Sequence, residues 1–125
     1  MRILGFEKKW PKLQKNSFTT FRFPRKDRDW QEGEEVQIVY KPRSKEREIL
    51  GIARIISRDR RTFGSPYYIL NESRITKREA RRDGFANDAE MENWFFKRYG
   101  ERIYYEPMSK LTLRWVMRLK EQSAK

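Results

Sequence analysis

The chain has 125 residues, enough to bury one core and too few for two independent ones. Hydrophobic residues make up 37% of it and aromatics 14%, which excludes a disordered polycation; the absence of Cys and His excludes a disulfide framework, the usual zinc ligand sets and His-based nucleophile schemes. Thirty Lys and Arg against 18 Asp and Glu leave a net charge of +12, a field that draws polyanions; the ion-pair networks of thermophile proteins, which this composition also resembles, need a closer balance.

Taken in chain order, residues 8–28 hold eight basic side chains and only Asp27 on the acidic side, around a β-prone run that predicts a strand over 17–23. Residues 34–41 alternate, with Val36, Ile38 and Tyr40 on one face and Glu35, Gln37, Val39 and Lys41 on the other. Turn residues at 42–45 and a β-branched run over 48–56 predict that the two runs pair as a hairpin with a basic tip. Gly51 marks a bulge or a close backbone approach, and 66–70 reads as a further short strand.

The period then changes. Thr76 followed by Glu79 is a capping box opening a helix over Lys77–Asp83, which Gly84 ends in the left-handed conformation. Asn87 with Glu90 opens a second helix whose Met91, Trp94, Phe95 and Tyr99 share a face before Gly100. Residues 109–118 alternate again, with Leu111, Leu113, Trp115 and Met117 pointing one way, and 119–125 reads as a tail. Strands with helices inserted before the last one predict an α+β fold, a small mixed barrel with two or more short helices packed beside it. One domain is expected over 1–125, its core at about 12–118. No stretch reaches the roughly 18 apolar residues of a membrane span and no signal peptide is visible, so a cytoplasmic monomer without membrane contact is expected.

Candidate binding residues follow from the charge. Thr20 and Arg22, two apart on a strand, share a face, and a guanidinium beside a hydroxyl suits a phosphate or a base edge. Arg25 and Lys26 in the basic loop, Lys41, Arg43, Lys45 and Arg47 at the hairpin tip, and Arg78, Arg81 and Arg82 on one helix face could meet a phosphate backbone; solvated surface charge is the competing reading. Trp10, Phe21, Phe23, Trp30, Tyr67 and Tyr68 could stack on unpaired bases, although most aromatics in a small domain are core; Trp30, in a polar loop, is expected to be exposed. No Walker A loop, dinucleotide turn or metal-ligand cluster is present, so neither a metal nor another cofactor is expected.

Three strings occur in a recognisable order. Thr20-Phe21-Arg22 matches the second half of the pattern Gly-x-Lys-x-x-Thr-x-Arg, residues 75–100 hold an acidic-Gly-aromatic turn between two helices, and 110–115 (KLTLRW) form a closing strand. Over residues 12–117 the chain resembles the ASCH family of PUA-like β-barrels. The resemblance implies a cleft between sheet and helices that takes RNA or a modified nucleoside. Some members hydrolyse acylated cytidine, with a Thr activated by a Lys and an acidic residue; Thr20 and Asp83 match two of these, while Ser17 stands where the family has Lys, and Lys15 is the nearest alternative. The expectation is therefore an RNA-binding module. The alternatives are a hydrolase of an acylated nucleoside or of RNA using Thr20, Asp83 and Lys15, and a basic protein-interaction domain that meets an acidic partner or the ribosome.

Overall fold

A computed structural model describes residues 1–64 and 71–119. In these residues the elements run β1 (Arg2–Phe6), β2 (Ser17–Arg22), β3 (Glu35–Tyr40), β4 (Glu48–Thr62), β5 (Ser73–Arg74), α1 (Lys77–Asp83), α2 (Asp88–Tyr99), α3 (Arg102–Tyr105) and β6 (Met108–Arg118), with a 3-10 turn at Pro11–Gln14. The strands form one mixed sheet in the order β1-β3-β4-β6-β2, with β5 beside β4; β1 runs parallel to β3 and β5 to β4, and the other pairs are antiparallel. The sheet curls until its two outer strands face each other. Arg22 on β2 donates from Nη2 to the Gly5 carbonyl of β1 at 2.8 Å, so a side chain spans the seam where, among the described residues, no ladder joins the two strands. The result is a half-barrel with helices against it.

The expected hairpin is β3–β4, and the pairings on both sides of β4 are irregular. The register passes from Ile38 opposite Gly51 to Val39 opposite Ile49, so Leu50 is an extra residue on β4; Val39 keeps its place beside Gly5 of β1, on the face of Gln37, and is fully buried there. Between β4 and β6 the register passes from Ile52 opposite Met117 to Ala53 opposite Trp115, so Val116 is an extra residue on β6 and Met117 is half exposed instead of following Leu113 into the core. Gly51 is a close approach, since a Cβ there would lie 2.2 Å from the Met117 carbonyl oxygen.

Local chemistry sets the helix ends. Thr76 Oγ1 accepts from Glu79 N at 3.1 Å while Glu79 Oε1 accepts from Thr76 N at 3.0 Å, and Gly84 closes α1 at φ 115°. Asn87 Oδ1 caps α2 through Glu90 N at 2.8 Å, but Glu90 Oε1 reaches Ala86 N, one residue before the cap. Three elements and the 3-10 turn were not expected. Among the described residues β1 pairs with the non-local β3 alone, β5 is a two-residue strand parallel to β4, and α3 is a single turn after Gly100. The strand expected at 66–70 and the tail beyond Leu119 lie outside the described residues.

The core has two halves. Leu4, Phe18, Val36, Ile38, Ile55, Leu111 and Leu113 fill the inside of the barrel, and Phe21, Phe63, Ala80, Phe85, Met91, Phe95 and Ile103 fill the space between sheet and helices. Trp10 packs against both.

Candidate nucleic-acid interface

The seam between β1 and β2 is the mouth of a cleft of about 790 Å³. One wall is β1 and the hairpin tip, which folds over that strand: a Cβ added to Gly5 would lie 2.7 Å from Cγ of Pro42. The opposite wall comes from the helices through Phe85, Trp94, Phe95, Arg98 and Tyr99, and Trp10 lines the cleft where the two core halves meet. Trp10, Phe85 and Trp94 form a ring cluster, with centroids 5.3 Å apart for Trp10–Phe85 and 6.1 Å for Trp10–Trp94. Such rings offer flat apolar faces of the kind on which bases stack.

Charge is divided between floor and mouth. Among the described residues Lys8, Arg25, Arg43, Arg47 and Arg98 line the cleft as exposed cations, against the single exposed carboxylate of Glu7. On the floor, Lys12 Nζ donates to Asp83 Oδ1 at 2.9 Å, and Thr19 Oγ1 donates to the same oxygen at 3.2 Å. Lys12 and Asp83 are both about 95% buried, and the ammonium also lies within 6 Å of the Phe6 and Trp10 ring centres. Burial pulls the Lys12 ammonium below its ordinary value, with Asp83 opposing, and burial pushes the Asp83 carboxyl up against the pull of Lys12, Thr19 and Arg22.

Arg22 is partly committed to the fold. Its Nε donates to Thr20 Oγ1 at 3.2 Å, its Nη2 holds the Gly5 carbonyl, and its guanidinium lies 4.7 Å from the Phe6 ring centre. Burial pulls its pKa down to about 10, so it stays cationic at neutral pH. The expected co-presentation of Thr20 and Arg22 is therefore a direct hydrogen bond facing the cleft.

Of the residues picked out from the sequence, Trp10, Thr20, Phe21, Arg22, Arg25, Trp30, Arg43, Arg47 and Asp83 converge on this cleft. Lys15, Lys26, Lys41, Lys45, Arg78, Arg81 and Arg82 do not line it. Lys41 pairs with Glu46 at 3.2 Å on the tip. Lys15 is exposed, so the lysine beside Asp83 is Lys12, which the 3-10 turn carries to the floor from a position that strand spacing does not reveal. Pro11 at the head of that turn was the available signal.

Trp30 is only 3% exposed, contrary to its polar neighbourhood in the sequence. Arg2 lies 4.5 Å over its ring, Arg58 bonds both its carbonyl and Asp29, and the loop polar groups are satisfied around it. Sequence reasoning also missed Lys8, Trp94, Arg98 and Tyr99 as cleft residues; Trp94 and Tyr99 share a face of α2 with the buried Met91 and Phe95, yet each is more than a third exposed. Tyr67 and Tyr68 lie outside the described residues. Among the described residues no helix is long and apolar enough to cross a membrane, and no group of acidic side chains could hold a metal ion. No protein-family model, curated protein or solved structure matches this chain.

Proposed function

We propose that the protein binds single-stranded nucleic acid in the seam cleft, with RNA preferred, and that it is an ASCH-type member of the PUA-like barrels. The observation that carries the binding reading is the division of the cleft: aromatic rings inside, five exposed cations at the mouth and one exposed carboxylate among them. Bases then enter the apolar interior and phosphates remain at the rim, where water and counterions are displaced. The preference for RNA and the family assignment rest on the Thr20-Phe21-Arg22 string, the Asp83-Gly84 turn and helices inserted before the closing strand.

Fluorescence anisotropy with a labelled single-stranded RNA tests this reading, with DNA of the same sequence as comparison. If four phosphates are neutralised, affinity falls about 50-fold between about 50 and 200 mM salt. Arg25→Gln/Arg43→Gln/Arg47→Gln should weaken binding and flatten that dependence. Undetectable binding at the lower salt, or an unchanged slope in the triple variant, would overturn the proposal.

The Lys12–Asp83 pair favours a second reading, hydrolysis of an acylated nucleoside. Thr20 Oγ1 accepts from a guanidinium, which favours its deprotonated form, and Lys12 is a lysine whose pKa is lowered. In this reading Thr20 Oγ attacks the acyl carbonyl carbon, Lys12 takes the hydroxyl proton, the C–N bond breaks with that proton passing to the departing amine, and water releases the acyl group. Turnover of acylated cytidine that is lost in Thr20→Ala and Lys12→Met but kept in Lys15→Met is the expected result. No turnover across a panel of acylated nucleosides would rule it out.

A further inference from the structure

α1 carries two carboxylates and turns both inward. Glu79 Oε2 accepts from Arg61 Nε at 2.9 Å and Lys110 Nζ at 2.7 Å, its Oε1 caps the helix, and Asp83 is held by Lys12. Lys77, Arg78, Arg81 and Arg82 are left exposed, and among the described residues none of the four pairs with a carboxylate. Arg81 Nε donates to the Ala86 carbonyl at 3.2 Å and keeps its remaining N–H groups free for solvent.

At about 100° per residue the four cations cover about 140° of the helix, while Glu79, Ala80 and Asp83 cover about 100° of the other side. Local energetics disfavour this arrangement. Lys77 and Arg78 stand in the first turn against the helix dipole, and Lys77–Arg81 and Arg78–Arg82 are like-charge pairs at i,i+4. An external polyanion would relieve both.

We infer that the outer face of α1 is a second phosphate-binding surface, separate from the cleft, which holds nucleic-acid backbone on either side of the bases seated inside. The inference rests on the cleft reading. Nucleic acid fits this face better than a protein, because three of the four cations are forked guanidinium groups suited to phosphate and no apolar side chain interrupts them to anchor a partner. The helix that carries this basic face also supplies Asp83 to the cleft floor, so the two surfaces share one element.

The test is Arg78→Gln/Arg81→Gln/Arg82→Gln, with its fold checked by thermal unfolding, measured against an RNA trinucleotide and a long single-stranded RNA. The expected result is unchanged trinucleotide affinity, at least tenfold weaker binding of the long RNA, and a log–log salt slope reduced by about 2 for three lost contacts. Wild-type affinity for both lengths in the variant would overturn the inference, as would an equal loss on both, or tighter binding of polyglutamate than of RNA by the unmodified protein. If the unmodified protein binds neither RNA, the cleft reading itself fails.

Discussion

Glu79 and Asp83 stand four residues apart on one helix and meet opposite environments. Burial pushes the Glu79 carboxyl up, but hydrogen bonds from Lys110, the Thr76 amide and Arg61 outweigh it, and the group ends below its ordinary value. At Asp83 burial is deeper and wins, so the carboxyl rises while Lys12 falls. Glu79 has enough donors to be a stable anchor between helix and sheet. Asp83 has one cation, one hydroxyl and an aromatic setting, an arrangement that costs stability and whose retention makes sense where a site uses it.

The largest expected effect breaks the weaker-satisfied pair. Asp83→Ala strands the Lys12 charge in the interior and should cost about 3–5 kcal/mol in denaturant unfolding, whereas Lys12→Met/Asp83→Leu should recover most of it. A loss below about 1 kcal/mol for Asp83→Ala would mean that the pair carries little buried charge.

Glu79→Gln should cost about 2 kcal/mol at neutral pH by weakening charge-assisted bonds to Arg61 and Lys110. Because the folded pKa of Glu79 lies below its unfolded value near 4.5, this stabilisation is complete above pH 4.5 and is lost as pH falls through the folded value. The gap between wild type and Glu79→Gln should therefore close in acid. A gap independent of pH would show that Glu79 acts through packing alone.

On the cleft side, Trp94→Ala removes one face from the aromatic cluster and should weaken RNA binding by about 1 kcal/mol, roughly fivefold in Kd, with the fold retained. Equal affinity would move the stacking surface elsewhere. The smallest effect belongs to the outer sheet. Arg54 pairs with Glu35 at 2.5 Å but also stands opposite Arg114, so Arg54→Gln should change stability by less than about 0.5 kcal/mol and leave RNA binding unaltered.

The sequence made plain what is decided locally. The capping box at Thr76, the glycine stops at Gly84 and Gly100, the β3–β4 hairpin and the close approach at Gly51 each depend on residues a few positions apart or on one backbone conformation. β1 was not legible because the strand it pairs with, β3, lies more than thirty residues away. Met117 was placed on the wrong face because an extra residue at Val116 shifts the two-residue period of β6 without a composition signal. Half of the candidate site followed the same division: Thr20, Arg22 and Asp83 were visible as types in a pattern, whereas Lys12 and Trp94 meet only after the 3-10 turn and α2 close on the seam. Trp30 shows the reverse error, a polar loop whose charges fold over an apolar ring.

Chemical-shift mapping with an RNA trinucleotide tests the seam cleft most directly. Perturbations should concentrate on the indole N–H groups of Trp10 and Trp94, the amides of residues 20–22 and the side chain of Arg43. Perturbations confined to the outer sheet around Arg54 and Arg114, with the cleft silent, would contradict it.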